Sequence, residues 1–514
     1  MGIGRKKDSA SPASKNIPEA DICLINEGTY PYVTGGVSSW IHSIISAMPD
    51  ITFSILHISP SNKTEVEFRY ELPENVVSMI NVSLHDSILH KNDTPGKKNK
   101  KQAYKDIIDF HKELDGKNVS HFRDIYKHFC SSDERSLNTK EITESRDIWE
   151  IILKMYQEKE RMNSFIDYFW TWRFIHLPLF QVLNSEIPKA KIYHTVSTGY
   201  AGLVGVIAKI KYGAPLLLTE HGIYTKERAI EIRRSEWIYV DLPIKYRPQR
   251  SQGLFKEIWE KFFLFLSRLV YEHADEIITL YSGNQNLQIS HGADKNKCSI
   301  IPNAINTKVF NPLREKIACN DIKKVGFVGR VVPIKDVKTF IKACKLVVSQ
   351  VENVEFWVLG PIDEDKEYVD ECRRLSELLE LNRKLKFLGR VDVRQYYPKL
   401  DVSVLTSISE GQPLTILEGM AVGVPSVSTN VGACEELLYG RTNEDKALGS
   451  SGIITNIGKP NETADAIIKI ITDKDLHDQM VRSGYKRVDK YYREEILIKK
   501  YKNLYKQYAL KSTS

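Results

Sequence analysis

The feature that most constrains the fold is an alternation of short apolar runs with amphipathic helical patterns, which occurs twice along the chain. The segment ADICLINEGTYPYVTGGVSSWIHSIISAM (20–48) reads as strand, glycine loop and helix, and ITFSILHISP (51–60) as a second buried strand. Such a unit requires a parallel sheet with helices on both faces. The rhythm restarts at KKVGFVGRVVPIKDVKTFIKACKLV (323–347). The sequence therefore predicts an α/β protein with two doubly wound, Rossmann-like domains that face each other across a cleft.

Interruptions of this rhythm predict the domain limits. The predicted segments are a disordered tail at 1–19, an N-terminal domain at 20–304 with a charged helical insertion at about 85–160, a C-terminal domain at 305–485, and a C-terminal helix at 486–514 that packs back across the domains. The last belongs to one amphipathic pattern, RSGYKRVDKYYREEILIKKYKNLYKQYAL. The insertion is interpreted either as a solvated helical excursion or as a docking surface for an acceptor, a partner or a membrane.

Composition narrows the class of protein. The 514 residues include 73 basic and 66 acidic side chains, a net charge of +7 that is too small to indicate nucleic-acid binding. The seven cysteines are scattered and form neither a disulfide framework nor a metal-ligand pattern, which favours a reducing compartment. No apolar run approaches the roughly 18 residues of a membrane helix. We therefore expect a soluble cytoplasmic protein.

The segment TSISEGQPLTILEGMAVGVPSVST (406–429) carries the first chemical signal. Pro413 suits the first turn of a helix, where a missing N–H costs nothing. The free N–H groups at the helix start, including those of Leu414 and Thr415, would form an anion site, and Gly411 would let a ligand approach the backbone. This pattern indicates a bound diphosphate.

Two carboxylates flank this predicted anion site. Glu410 precedes the helix, and Glu418 lies about one turn inside it. Carboxylates are poor partners for phosphate but good acceptors for sugar hydroxyls. The arrangement predicts a nucleotide sugar, with Glu418 on the ribose and Glu410 on the transferred sugar. Ordinary acidic residues at a helix start are the structural alternative.

A counter-charge for the diphosphate is predicted in GRVVPIK, where Arg330 and Lys335 share one loop after a strand. Arginine offers a planar fork and lysine a point charge. Because no acidic or His/Cys metal cluster is evident in the sequence, we expect these side chains to neutralise the leaving diphosphate without a metal ion.

Taken together, GRVVPIK, SEGQPLTILEGMAVGVPSV and YPYVTGGV resemble family 4 of the retaining glycosyltransferases, which have the GT-B fold. The E-x7-E signature of that family is matched by Glu410 and Glu418. More narrowly, ICLINEGTYPYVTGGVSSWIHSII and TEHGIYTKERAIEI resemble the PelF family, the cytosolic glycosyltransferases of Pel exopolysaccharide synthesis.

The resemblance assigns further roles residue by residue. Gly35 and Gly36 match the glycine loop of the N-terminal domain, and His221 matches a histidine near the donor sugar. Gly389 and Val391 lie where the base-binding strand end of the family falls. The family often has Gly-Phe-Gly after its first glutamate, whereas this chain has Gly-Gln-Pro (411–413), which leaves donor selectivity open.

The expected activity is that of a retaining, metal-independent hexosyltransferase that uses a UDP-sugar, needs no cofactor and extends an exopolysaccharide chain in the cytoplasm. Two alternatives stay open: a UDP-sugar 2-epimerase, and a non-catalytic nucleotide-sugar-binding subunit. The resemblance also implies a polysaccharide acceptor, inner-membrane proteins of a Pel secretion complex as partners, and a peripheral position at the inner membrane through them.

Other residues stay ambiguous in the sequence. Arg228 and Glu231 follow the TEHG motif and suggest a lid, although structural roles explain them equally well. Trp170, Trp172 and Phe174 suggest an acceptor groove, but core packing is the commoner use of such a pattern.

Overall fold

The computed structural model describes residues 18–60, 67–84, 100–114, 118–130, 136–159, 164–234, 251–316 and 322–511. The predicted disordered tail lies, except for its last two residues, outside these ranges. Among the described helices, none has both the length and the apolar composition that crossing a membrane requires.

The first sheet has seven strands in the order β3-β2-β1-β4-β5-β6-β7. Its strands are β1 (Ala20–Glu27), β2 (Phe53–Ser59), β3 (Val76–Ser83), β4 (Ala190–Thr195), β5 (Leu216–Glu220), β6 (Glu276–Thr279) and β7 (Cys298–Ile300). The defined strand pairs run parallel, and β1 and β2 are buried on both faces along most of their length. This explains why they read as continuous apolar runs instead of alternating ones.

Helices connect these strands. They are α1 (Gly36–Ser46), α2 (Lys100–Glu113), α3 (Phe122–Cys130), α4 (Thr139–Glu144), α5 (Arg146–Lys159), α6 (Phe165–Leu183), α7 (Tyr200–Tyr212), α8 (Tyr224–Arg234), α9 (Ser251–His273) and α10 (Ser282–Ser290). Helices α2 to α5 occupy the described part of the insertion. Their aromatic residues pack on α6 and α9, because Phe129 stacks on Phe180 at 4.8 Å and Phe110 meets Phe265 edge-on at 5.2 Å.

The aromatic helix α6 has two kinds of residue. Trp172 is buried and stacks on His176, with ring centroids 4.2 Å apart. Trp170 and Phe174, by contrast, are exposed. Core packing therefore explains Trp172 but does not explain Trp170 and Phe174.

The second sheet has six strands in the order β10-β9-β8-β11-β12-β13. Its strands are β8 (Lys323–Val328), β9 (Val354–Leu359), β10 (Leu385–Gly389), β11 (Val402–Leu405), β12 (Ser426–Thr429) and β13 (Gly452–Thr455). The associated helices are α11 (Thr307–Phe310), α12 (Val337–Val348), α13 (Lys366–Leu378), α14 (Leu414–Val422), α15 (Cys434–Tyr439), α16 (Asn443–Lys446) and α17 (Pro460–Thr472). All its strand pairs are parallel, and the order reverses beside β8, as in Rossmann folds.

The prediction of one continuous helix near the C-terminus is wrong. The structure has two helices, α18 (Lys474–Tyr491) and α19 (Glu494–Lys511). Between them, Arg493 pairs with Ile305 in a parallel bridge. The amide of Ile305 donates to the carbonyl of Tyr492 at 3.0 Å, and the carbonyl of Ile305 accepts from Glu494 at 3.0 Å. This tertiary pairing holds the backbone extended and ends the first helix.

The chain forms two compact units, one of Met1–Thr219, Tyr224–Glu276 and Tyr505–Ser514, the other of Glu220–Ile223 and Ile277–Leu504. The end of α19 belongs to the first unit, where the Tyr505 hydroxyl lies 2.8 Å from His194 Nδ1. The predicted fold class, two Rossmann-like domains with a helical insertion in the first, is confirmed.

Candidate active site

The loop after β8 presents Lys335 at the carboxyl edge of the second sheet. Residues Pro333–Lys335 form a single 3-10 turn, and Asp336 follows with a left-handed φ of 45°. The Asp336 carboxylate accepts from the backbone N–H of Thr339 at 3.3 Å and from its hydroxyl at 2.6 Å, which caps α12. The cap fixes the backbone on which the lysine is carried.

The loop after β11 is tied to this turn. The Thr406 hydroxyl donates to the carbonyl of Asp336 at 2.8 Å, and the Ile408 amide donates to the carbonyl of Ile334 at 2.8 Å. These contacts bring Glu410 to Lys335. The loop between β11 and α14, residues 406–413, is called the donor loop below.

Lys335 and Glu410 form an ion pair in the second unit. The lysine Nζ lies 2.5 Å from Glu410 Oε1, and the two side chains are only 17% and 11% exposed. The Ser407 hydroxyl donates to the same oxygen at 2.5 Å. The carboxylate predicted to contact the donor sugar and the cation predicted to contact the diphosphate are thus in direct contact.

Arg330 occupies a different environment. Its side chain is 54% exposed, and its Nη1 lies 2.8 Å from Glu364 Oε2. Each member of the predicted cation pair therefore has a carboxylate partner of its own.

Helix α14 presents the predicted anion site. Pro413 is the N-cap rather than the first helical residue, so Leu414 and Thr415 open the helix. In the helix that follows, Glu418 Oε2 accepts from the Tyr397 hydroxyl at 3.0 Å, and that hydroxyl also lies 3.2 Å from the carbonyl of Thr415. Burial raises the pKa of Glu418, and the tyrosine hydrogen bond opposes the rise.

A glycine that the sequence reasoning missed shapes the same loop. Gly432 has φ +56°, and an added Cβ would lie 2.2 Å from the carbonyl oxygen of Gly411 and 2.4 Å from that of Glu410. The Ala433 amide donates to the Gly411 carbonyl at 2.8 Å. The only signal in the sequence is the Asn-Val-Gly-Ala run just before a short helix. Tyr397 was missed as well, and it lies in a run that predicts only a short helix.

Two predicted base-binding positions also lie at the edge of this sheet. Gly389 ends β10 with φ +69°, and its carbonyl accepts from the amide of Gly360 at 2.9 Å. Val391 is partly buried against the apolar cluster that contains Tyr397.

His221 lies in the segment 220–223, which belongs to the second unit, as the donor loop does. The backbone of His221 lies close to that loop. An added Cβ on Gly411 would lie 3.3 Å from the His221 carbonyl oxygen, which accepts from the Asn284 side chain at 3.3 Å. Burial lowers the pKa of His221 to about 4, so its imidazole is neutral at neutral pH. A neutral ring can exchange hydrogen bonds with a sugar but adds no cation.

The glycine loop lies in the first unit. Gly35 is the N-cap of α1 with φ 174°, an extended conformation that any residue adopts. A Cβ added to Gly35 or Gly36 would meet no described atom within 4 Å. Neither backbone conformation nor local packing therefore requires glycine at these two exposed positions.

A buried carboxylate in the first unit holds the suspected lid residues. Glu27 Oε1 accepts from the Tyr224 hydroxyl at 3.0 Å and contacts Arg228 at 3.5 Å, while Oε2 accepts from the Tyr200 amide at 3.2 Å. Arg228 also pairs with Glu231 at 2.6 Å. Burial raises the pKa of Glu27, and the arginine opposes that rise.

Residues 20–296 match the model of a protein family described as a domain of unknown function, DUF3492. The chain belongs to this family. In this DUF3492 chain, residues 322–473 also match the family described as glycosyl transferases group 1. The second match covers Arg330, Lys335, Glu410 and Glu418.

Individual proteins resemble this DUF3492 chain more weakly. The capsular polysaccharide biosynthesis glycosyltransferase CapM of Staphylococcus aureus is 28% identical over 235 residues, which are 43% of this chain and 59% of CapM. This chain thus spans less than two thirds of that relative. An Escherichia coli enzyme, UDP-Gal:alpha-D-GlcNAc-diphosphoundecaprenol alpha-1,3-galactosyltransferase, is 24% identical over 320 residues, 59% of this chain and 71% of the enzyme.

Solved structures share the fold of this DUF3492 protein. HepE of Anabaena, solved in complex with UDP, superposes with a TM-score of 0.57 at 15% identity over 95% of this chain and 100% of HepE. Sucrose-phosphate synthase of Thermosynechococcus elongatus gives 0.54 at 17% identity over 96% and 99%. At these identities the likenesses show that the chain shares the fold of these proteins.

Proposed function

We propose that this protein is a retaining glycosyltransferase that transfers a hexose from a UDP-sugar to a growing exopolysaccharide. The observation that carries the proposal is the contact of Lys335 with Glu410 beside the N-terminus of α14, with Glu418 inside that helix. A cation, the first amides of a helix and two carboxylates together complement a diphosphate with a sugar at each end.

The choice of UDP rests on the resemblances. HepE, which shares the fold, was solved with UDP and glucose, and the name of the galactosyltransferase relative specifies a UDP-linked donor. Under the proposal, Glu418 accepts hydrogen bonds from the ribose hydroxyls. The amides of Leu414 and Thr415 meet the diphosphate, while Gly389 and Val391 contact the base.

The proposed reaction exchanges the ion pair for substrate contacts. Lys335 turns from Glu410 to the diphosphate, joined by Arg330, and the freed carboxylate accepts from a hydroxyl of the donor sugar. The bond from the anomeric carbon to the diphosphate oxygen breaks, and a bond to the acceptor oxygen forms on the same face. The acceptor proton passes to the departing diphosphate. The two cations stabilise the charge that develops on the leaving group.

A more specific assignment, to the PelF family, rests on the motifs ICLINEGTYPYVTGGVSSWIHSII and TEHGIYTKERAIEI and on the long insertion. It includes a cytoplasmic site of action, docking on inner-membrane proteins of a Pel-type secretion complex, and domain limits of 20–304 and 305–485. Co-purification of the full chain with those membrane proteins tests the docking. If the full chain does not co-purify with them from detergent-solubilised membranes that contain them, the docking proposal is contradicted.

The activity is tested by incubating the full chain with UDP-glucose, UDP-N-acetylglucosamine or UDP-N-acetylgalactosamine and an oligosaccharide acceptor. We expect UDP release and an elongated product whose anomeric configuration, read by NMR, is that of the donor. An inverted product contradicts the retaining mechanism. An isomerised sugar formed without acceptor indicates an epimerase, and nucleotide-sugar binding without transfer or hydrolysis indicates a non-catalytic subunit.

A further inference from the structure

A small cavity in the second unit lies apart from the predicted donor residues. Its lining includes the apolar side chains of Leu280 and Pro302, the hydroxyls of Thr442 and Tyr491, and the cations of Arg441 and Lys500. None of these residues belongs to the proposed donor site. The polar groups are contributed by α18, α19 and the turn before α16.

The two acidic side chains on the cavity wall already have partners. Asp445 Oδ1 accepts from Nε of the fully buried Arg487 at 2.7 Å, and its Oδ2 accepts from the backbone amide of Arg441 at 3.0 Å. Glu436 Oε1 accepts from the Ser282 amide at 2.9 Å. The charge of Asp445 is thus offset inside the fold, and that of Glu436 is partly offset by a helix-start amide.

The two cations, by contrast, have no compensating carboxylate among the residues that the structure describes. Within the described ranges, neither Arg441 nor Lys500 forms an ion pair. Loss of water around the Lys500 ammonium group, and then the neighbouring Arg441 guanidinium, lower the pKa of Lys500. That effect of Arg441 shows that the like charges are close enough to repel each other.

Hydroxyl donors complete the set. The Tyr491 hydroxyl is buried at the cavity wall, and the side chains of Glu444 and Lys490 lie within its hydrogen-bonding reach. The Thr442 oxygen accepts from the Asp445 amide at 3.2 Å, which leaves its own proton available to donate.

We propose that Arg441, Lys500, Thr442 and Tyr491 form a second anion site, which binds the phosphate group of a small metabolite. A tetrahedral oxyanion matches the set, because it accepts from several donors and offsets two like charges at once. This binding function is additional to sugar transfer and does not depend on it.

The site lies directly behind the donor loop. Pro302 in its wall precedes Asn303, whose amide donates to Gln412 Oε1 at 2.7 Å. Helix α15 begins just after Gly432, which touches the Glu410 backbone, and ends just before Arg441. An anion held here therefore contacts the elements that support the donor loop.

The test is calorimetric titration of the full chain with inorganic phosphate in the presence of saturating UDP, which occupies the donor site. We expect one phosphate to bind, and the Arg441→Gln/Lys500→Gln variant to bind it at least tenfold more weakly. Lys499→Gln, which removes the neighbouring exposed lysine of α19, is the matched control and should bind like the wild type. The circular dichroism spectrum and unfolding temperature of each variant show that it is folded.

Equal phosphate affinity in the wild type and the double variant overturns the proposal, as does the absence of phosphate binding to the wild type. If UDP does not bind, phosphate is titrated into Lys335→Ala instead, because that variant lacks the cation that is proposed to contact the diphosphate. Failure of the proposed transferase function is thus detected by the titration with UDP. Failure of the second anion site is detected by the titration with phosphate.

Discussion

At the residue scale, the Lys335–Glu410 contact is the least exposed ion pair at the proposed donor site. Removing one partner of a buried pair leaves the other charge uncompensated. Substitutions here therefore affect both stability and substrate binding, and controls have to separate the two.

Lys335→Ala should lower turnover by more than tenfold. The variant loses a charged contact to the leaving diphosphate, which contributes about 1.5–3 kcal/mol. Steady-state kcat and KM for the UDP-sugar provide the measurement. Lys338→Ala, which removes a lysine of α12 that pairs with Glu371, is the matched control and should keep wild-type turnover. Undiminished turnover in Lys335→Ala would refute the assignment.

Arg330→Ala should also lower turnover by more than tenfold, but with little change in unfolding temperature. The side chain is largely exposed, and its pairing with Glu364 contributes about 0–1 kcal/mol to stability. Differential scanning fluorimetry beside the kinetic assay separates the two effects. Glu364→Gln removes the same surface pair and serves as the control, and a turnover equal to that of Arg330→Ala would show that only the pair mattered.

Glu418→Gln should weaken UDP binding by about tenfold. At higher pH, its free energy of unfolding should rise relative to that of the wild type. Because burial raises the pKa of Glu418 above the ordinary 4.5, protonation favours the folded chain, and its contribution to stability falls as the pH rises through 4.5 towards the folded value. Glutamine does not ionise and can still accept from Tyr397. The measurements are calorimetric UDP binding and unfolding temperature from pH 4 to 8. Unchanged UDP affinity, or a stability difference independent of pH, would contradict this role.

At the element scale, the donor loop depends on a backbone contact. Gly432 is left-handed and has no room for a Cβ against the Glu410 and Gly411 carbonyls, whereas Gly458 is left-handed at φ +66° with no described atom within 4 Å of an added Cβ. Replacing each glycine by alanine therefore separates two costs. Both variants have the cost of a left-handed alanine, and only the variant at Gly432 has a steric clash with the donor loop.

Gly432→Ala should therefore destabilise the chain more than Gly458→Ala. Both variants incur about 1–3 kcal/mol for a left-handed alanine, and only the first must also displace the donor loop. Denaturant unfolding gives the stability difference, and UDP titration should show weaker binding for Gly432→Ala alone. Equal losses in the two variants would mean that the carbonyl contact is unimportant.

Much of the architecture could be predicted from the sequence. Parallel strands buried on both faces give apolar runs such as Cys23 to Ile25, and their carboxyl ends fix the edge at which loop residues gather. The break before Glu494 could not be predicted, since no glycine or proline marks it and pairing with Ile305 causes it. For the same reason, the hydrogen bond from Tyr397 to Glu418 depends on tertiary packing.

At the scale of the whole molecule, the two family matches divide the chain much as its architecture does. The DUF3492 match spans 20–296 and contains six of the seven strands of the first sheet, and the group 1 match spans 322–473 and contains all six strands of the second. The proposed donor chemistry lies mainly in the second, and the glycine loop in the first.

Transfer by the full chain should persist in excess EDTA. Lys335 and Arg330 are proposed to neutralise the leaving diphosphate, a task that divalent ions perform in other transferases. The assay compares initial rates with EDTA, Mg²⁺ and Mn²⁺, and equal rates within about twofold are expected. Strict dependence on either ion would contradict the proposed mechanism.

The carboxylate partners of Lys335 and Arg330 have a consequence for how a donor molecule arrives. Each cation is already offset by a glutamate, so the two side chains project little net field into solvent. Attraction over distances beyond the Debye length of about 10 Å at 0.1 M salt is correspondingly small. Their positive charge becomes available only on contact, when the incoming diphosphate displaces the glutamates, so ionic strength should influence the dwell time of the nucleotide more than its rate of capture.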